Sequence, residues 1–321
     1  MKLSRWVALG VAAGLAAGLV WMILAYERDI GAARRRVAAG SEVAMTKCGP
    51  IEYAERGRGR PVLLVHGAGG GFDQGLTLGE PIAERGFRTI AMSRFGYLRT
   101  PLPKDASAEA QADAHACLLD ALGIDRAAVV GVSAGGPSTI QLCLRHPDRC
   151  SAMVLLVPLA YSDQPHRKLS PVARFLMERT LSSDFVFWSA SRLLRTQMVE
   201  SILGTPIEDV RGLPEAGQRK LYAMLDSVLP ISLRAKGLMN EGAVAQALRP
   251  LPLERSAAPT LISSVENDGY KTFAGARYTA ERIPGARFIG YPRGGHMGVG
   301  HEEELFAEIL KFLDASSTGV Q

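Results

Sequence analysis

At 321 residues, with 47% hydrophobic and 21% charged side chains, the chain has a globular composition and enough apolar material for one large domain or two small ones. Its net charge of +5 does not mark a nucleic-acid binder, because residues 1–47 carry seven Lys and Arg against three Asp and Glu and the remainder is near neutral. The cysteines Cys48, Cys117, Cys143 and Cys150 show neither C-x-x-C spacing nor a paired-histidine pattern, so the spacing indicates neither a zinc site nor a disulfide framework.

Trp6 to Tyr26 is an uncharged run of 21 residues. As a helix it spans roughly 31 Å, the thickness of a bilayer core. It is longer than the apolar region of a signal peptide, and no small-x-small cleavage site follows before Glu27, so the expectation is an uncleaved single-pass anchor. Trp6, Trp21 and Tyr26 lie near its ends as interfacial aromatics do, and Gly10, Gly14 and Gly18 fall four apart, a ridge that could pair two anchors in a homodimer. Lys2 and Arg5 precede the run and Arg28, Arg34, Arg35 and Arg36 follow it, a slight lean toward a cytoplasmic catalytic domain. Residues 27–41 read as a polar, partly helical stalk, so removing residues 1–41 is expected to release an intact domain, 42–321.

Two strand-like runs surround Cys48-Gly49-Pro50, and Pro61 to Val65 reads as a buried strand. It runs into His66-Gly67-Ala68-Gly69-Gly70-Gly71, whose small residues let backbone N–H groups approach a ligand. A dinucleotide fingerprint fails there because Phe72 holds the sixth position, and a phosphate loop fails because no Gly-Lys-Ser/Thr follows. Thr89 to Met92 is a strand, and Ala106 to Leu122 a helix ended by Gly123. The apolar run from Ala127 then closes in Gly131-Val132-Ser133-Ala134-Gly135, and Pro137 to Arg145 reads as the helix behind it. That is the G-x-S-x-G pattern of a serine on a tight strand-to-helix turn, where the positions two before and two after the serine have no room for a side chain. Further strands at Ser151–Val157 and Pro259–Ser264 continue the alternation and predict an α/β fold with a largely parallel sheet covered on both faces. Residues 158–258 break it into amphipathic helical segments, an insertion above the sheet. Its large apolar residues (Phe175, Met177, Phe185, Phe187, Trp188, Met198, Met224, Met239) suit internal packing or a substrate pocket.

A serine hydroxyl needs a base and a carboxylate to orient that base, in the chain order Ser, Asp/Glu, His. His146 ends the elbow helix, His166 opens the insertion, and His301 precedes three glutamates as part of a helix cap. His296 remains, on the flexible loop after the strand-like Ala286–Tyr291. For the carboxylate, Glu266 and Asp268 both follow the strand at 259–264, and Asp163 follows an earlier one.

These motifs together resemble the α/β-hydrolase superfamily over about residues 43–315. The resemblance places the acid at Asp268, in a G-x-x-D turn in which Val265 stands where glycine is usual, with Asp163 as the rarer placement. It assigns the oxyanion hole to the backbone N–H of Ala134 and that of Ala68 or Gly69, and reads 158–258 as a helical cap. Ser93-Arg94-Phe95-Gly96-Tyr97 departs from the family's usual aspartate and arginine-glycine in a loop that borders the active site. The implied activity is hydrolysis of a carboxylic ester or related acyl bond through an acyl-enzyme, with no cofactor or metal; the apolar insertion and the anchor point to a small-molecule, lipophilic acyl substrate. Monoacylglycerol-type lipase, carbon–carbon bond hydrolase and thioesterase chemistry share the same residues. A non-catalytic membrane-anchored interaction protein is the reading of another class, and intact Ser133, Asp268 and His296 argue against it.

Overall fold

The computed structural model describes residues 2–163 and 171–316. Eight strands form one sheet among them: β1 (Glu42–Thr46), β2 (Gly49–Arg56), β3 (Pro61–Val65), β4 (Arg88–Met92), β5 (Ala127–Val132), β6 (Cys150–Leu156), β7 (Thr260–Val265) and β8 (Arg287–Tyr291). Their spatial order is β1-β2-β4-β3-β5-β6-β7-β8. The β1–β2 and β2–β4 pairs are antiparallel and every other pair is parallel. Strands β3 to β7 are buried on both faces because helices cover both, which removes the in/out alternation of a half-exposed strand.

Helix α1 (Lys2–Ala38) precedes the sheet. α2 (Phe72–Glu84), α3 (Ala108–Ala121) and α4 (Gly136–Arg145) alternate with the strands, and α11 (Phe273–Arg282) and α12 (Glu302–Ala315) do so after the cap. The cap itself is α5 (Pro171–Ser182), α6 (Asp184–Leu193), α7 (Arg195–Leu203), α8 (Ile207–Gly212), α9 (Glu215–Ser227) and α10 (Ala235–Ala247), inserted between β6 and β7. One core layer joins Leu63, Val65 and Ile90 to Leu118, Leu119, Leu142 and Ala276 of α3, α4 and α11. The opposite layer joins Val62, Leu64 and Val154 to Ile82, Ile309 and Leu313 of α2 and α12. The chain departs in opposite directions from β3, so the loops after β3, β5, β7 and β8 gather at the strands' C-terminal ends, where open α/β sheets place their sites.

The cysteine spacing pointed to no disulfide framework, and the structure corrects this by pairing all four. Cys48, in the β1–β2 turn, bonds Cys117 of α3, and Cys143 of α4 bonds Cys150 of β6, with Cα atoms 6.0 and 5.2 Å apart. The first pair is 69 residues apart and meets only because α3 packs on the hairpin, so no local spacing could register it.

A second difference concerns the stalk. Helix α1 is continuous, and from Leu9 to Ala38 it contains the one stretch among the described residues long and apolar enough to cross a membrane, with mean hydropathy 2.0. Its C-terminal part does not stand free: Ile30, Ala33 and Val37 are buried, the first two in the cap's apolar cluster. Asp29 accepts from Trp188 Nε1 (3.0 Å) and pairs with Arg192 (2.7 Å), while Arg36 donates to the Ser227 carbonyl (2.9 Å). Every fourth or third residue of 30–37 is apolar, a stripe the surrounding arginines mask in a composition count. Removing residues 1–21 should therefore leave stability unchanged, whereas removing 1–41 strips Ile30 and Val37 and should cost roughly 3–6 kcal/mol. Thermal unfolding of the two truncated forms checks this.

His115 of α3 is wholly enclosed, with Nε2 3.0 Å from Ser138 Oγ. Burial, helped by the charge of Arg94, pushes its pKa down from 6.5 to about 3. The folded state therefore binds the proton more weakly than the unfolded chain. Stability is full above pH 6.5 and drains away as the pH falls toward 3, with His115 alone contributing a loss of about 2 kcal/mol by pH 5. Denaturant midpoints at pH 7.5 and 5 should show this drop, and His115→Gln should flatten it.

Candidate active site

Ser133 sits at the end of β5 with φ at +49°, a left-handed conformation that non-glycine residues adopt only under constraint. The constraint is visible on either side. A Cβ on Gly131 would lie 2.3 Å from Thr139 Oγ1, and one on Gly135 would lie 2.5 Å from the Val65 carbonyl oxygen. Only glycine fits at both positions, which is the steric demand the G-x-S-x-G spacing implied.

The loop after β8 brings His296 to this serine: Nε2 is 2.8 Å from Ser133 Oγ, and Nδ1 is 2.8 Å from Asp268 Oδ2. Asp268 is fully buried at the turn after β7. Burial pushes its carboxyl pKa up, but the hydrogen bonds from His296, from the Thr272 hydroxyl and from the Tyr270 N–H (2.7 Å) together hold it below the usual carboxylate value. The turn closes with Asp268 N–H donating to the Val265 carbonyl (3.3 Å), so valine in place of the usual glycine does not prevent it. The Tyr270 ring meets the His296 ring edge-on, with centroids 4.8 Å apart.

The other candidates are elsewhere. Glu266 is exposed, and Asp163 is an exposed acceptor for the Tyr161 hydroxyl. His146 pairs with Asp113 (2.7 Å), and His301 stacks on Tyr291 at the start of α12. His166 lies outside the described residues. Ala134 follows Ser133 into the turn that starts α4. The His-Gly loop reaches the elbow so closely that a Cβ on Gly67 would lie 3.1 Å from Ser133 Cβ, which sets Ala68 and Gly69 beside it.

Two supports had no sequence signal. Gly204, at the C-terminal end of α7 with φ at +58°, gives its carbonyl to the N–H groups of both Gly269 (2.9 Å) and His296 (3.0 Å). A Cβ there would press on the His296 Cβ at 2.9 Å. Asp209 of α8 accepts from Asn267 and from Arg293, and Asn267 accepts from Gly295 N–H (2.9 Å), so the cap ties the acid turn to the histidine loop. On the other side, Arg94 is buried with Nη1 3.2 Å from the Ala134 carbonyl oxygen and an ion pair to Glu241 of α10. Tyr97 donates to the same carboxylate (2.6 Å), and His66 Nε2 accepts the Arg94 N–H (3.0 Å). The unusual Ser93–Tyr97 loop thus fastens the elbow and the His-Gly loop to the cap.

A family model described as the alpha/beta hydrolase fold matches residues 60–302, about three quarters of the chain. The chain belongs to the α/β-hydrolase family. Within it, the chain is 25% identical over 281 residues to the uncharacterized hydrolase YcgS of Bacillus subtilis, covering 83% of this chain and 96% of that protein. A 2-hydroxymuconate semialdehyde hydrolase of Pseudomonas putida is 36% identical over 105 residues, 32% of this chain and 37% of that protein. Among solved structures, an α/β-hydrolase fold protein from Nakamurella multipartita superposes with a TM-score of 0.66 at 25% identity, covering 85% of this chain and 99% of that one. The α/β-hydrolase family match spans strands β3 to β8, the elbow, the cap and the loops carrying Asp268 and His296.

Proposed function

We propose that the chain is a membrane-anchored serine hydrolase that cleaves a carboxylic ester or related acyl bond through an acyl-enzyme. The observation that carries this reading is the continuous relay from Ser133 Oγ through both His296 nitrogens to Asp268, each link 2.8 Å. Ser133 Oγ attacks the acyl carbon while His296 Nε2 takes its proton. The imidazolium, held by Asp268, returns the proton to the leaving group, and water then repeats the sequence on the acyl-enzyme. The developing oxyanion is received by the N–H of Ala134 and, of the two loop candidates, by that of Ala68. The Gly69 N–H is already engaged by the Tyr97 hydroxyl, whereas Ala68 is exposed.

A lipophilic substrate is supported by a cleft of about 390 Å³ between α3, α4 and α10 that includes Ile140, Ala160, Val244, Leu248 and Leu251. It shares Pro137 and Val244 with a smaller cavity that reaches Ala134. None of the described large apolar cap residues singled out from the sequence lines it, and Phe187, Trp188 and Met198 are buried in the cap's own core. A p-nitrophenyl ester series from acetate to decanoate tests the reading. Each methylene should raise kcat/KM by at most about fourfold, from 0.8 kcal/mol, until the cleft is full. A flat or falling profile would count against a lipophilic acyl pocket. Carbon–carbon bond hydrolysis is the competing reading, supported by the partial identity to the 2-hydroxymuconate semialdehyde hydrolase. Faster turnover of a 2-hydroxy-6-oxo-dienoate than of any ester would favour it.

For location, the arginines after the span favour a cytoplasmic domain, while the two disulfides favour an oxidising compartment on the other side. The disulfides weigh more, since a span with two positive residues before it is compatible with either orientation. Gly10, Gly14 and Gly18 are open on α1, as pairing of two anchors would require.

A further inference from the structure

One continuous helix joins the anchor to the cap in this chain, and that sets where the cap stands relative to the bilayer. Helix α1 runs without a break from the apolar segment through Tyr26 into the part packed on the cap. Tyr26 closes the uncharged run, and Glu27 and Arg28 follow at once, so Tyr26 marks the water boundary of the span. Its ring packs edge-on against Phe185 and Trp188 of α6, with centroids 5.2 and 5.6 Å apart. Met22 and Ala25, up to a full turn deeper or roughly 6 Å, also pack on the cap cluster.

At that level α6 turns a largely apolar face outward. Asp184, Phe187, Trp188 and Ser191 point into the cap, and Phe185, Val186 and Leu193 point away from it, Leu193 with 82% of its surface exposed. The arginines at this level are held by carboxylates: Arg192 by Asp29 (2.7 Å) and Asp226 (3.6 Å), Arg28 by Asp29 (2.9 Å), Arg34 by Asp184 (3.3 Å) and Arg195 by Asp226 (2.8 Å). Leu194 extends the exposed apolar surface past the end of the helix. Large exposed apolar side chains at both ends of α6, held beside the end of an apolar span, match the chemistry of an interfacial helix.

We propose that the outward face of α6, with Val186 and Leu193 at its centre, is inserted into the acyl region of the same leaflet that α1 enters, so that the cap of the hydrolase sits on the membrane rather than above it. This rests on the reading of α1 as an anchor. The occupant is lipid because the patch continues the apolar surface of the span itself and is oriented by the same helix.

The test uses the full-length chain in phosphatidylcholine liposomes, with the four native cysteines paired. L193C and V186C, each carrying an NBD fluorophore, are compared with R58C in the turn between β2 and β3, at the end of the sheet away from the cap. Flotation with the liposomes, together with loss of most NBD emission at positions 193 and 186 to a shallow spin-labelled lipid and little loss at 58, is the expected result. Flotation with no lipid quenching at 193 and 186 would overturn the inserted cap while leaving the anchor. A chain that does not float would overturn the anchor and the inserted cap with it. Protection from both lipid quencher and aqueous iodide, with cross-linked dimers, would assign the patch to a second copy and equally overturn the proposal.

Discussion

Ser133→Ala is expected to lower kcat by about 10⁴ to 10⁶ and to abolish labelling by a fluorophosphonate probe, with the fold unchanged. The size follows from chemistry that has no substitute: alanine has no nucleophile to form the acyl-enzyme, and only the oxyanion donors and the binding cleft remain. The fold should survive because the Ser133 hydroxyl hydrogen-bonds His296 alone, and the strain at φ +49° is the same for alanine as for serine. Equal melting temperatures with loss of turnover and labelling would support the assignment. Retained turnover would remove Ser133 from the chemistry, and retained labelling would point to another nucleophile. His301→Ala, on a ring that stacks on Tyr291 at the head of α12, should leave kcat unchanged.

The parts of the site that could be read before the structure are those whose constraint is local. Gly131 and Gly135 flank the elbow because Thr139 and the Val65 carbonyl, both within reach of the same turn, leave no space for a Cβ. Strands β3 and β5 were legible as unbroken apolar runs because helices cover both of their faces. After β7 the residues alone left Glu266 and Asp268 both open, and the resemblance to the family's acid turn chose Asp268, whose N–H closes that turn onto the Val265 carbonyl. What was not legible depends on the cap and on α1, whose contacts join residues far apart in the chain. Gly204 reads as an ordinary helix C-cap until its carbonyl is seen receiving His296, 92 residues later. Asp209 and Glu241 read as surface charges on cap helices, yet each is committed to a loop of the site. The apolar stripe of Ile30, Ala33 and Val37 was hidden among arginines that make a stalk look polar, although two of them are committed, Arg34 to Asp184 of the cap and Arg36 to Asp73 of α2.

Asp268→Asn is expected to cost about 10⁴ in kcat, and the hydrogen bonds around the carboxylate dictate why. Oδ1 accepts from Tyr270 N–H, while Oδ2 accepts from both Thr272 and His296 Nδ1. An asparagine has one oxygen to offer. Placed toward Tyr270, it turns its NH₂ onto His296 Nδ1, which must then accept, leaving the ring proton on Nε2 and facing Ser133. In that tautomer His296 cannot take the serine proton. The opposite flip sets two donors against each other at Tyr270 in a fully buried pocket, where an unpaired donor costs about 1–3 kcal/mol. That penalty favours the first flip, in which the general base is lost, while KM should change little because Asp268 does not line the cleft beside α10. Asp163→Asn removes only an exposed acceptor for Tyr161 and should leave kcat within about twofold, since surface changes of this kind stay within about 0.5 kcal/mol. Steady-state kinetics of the two variants side by side decide the assignment: a crippled Asp163→Asn with a near-normal Asp268→Asn would move the acid to the loop after β6 and require His296 to turn away from the partner it now faces.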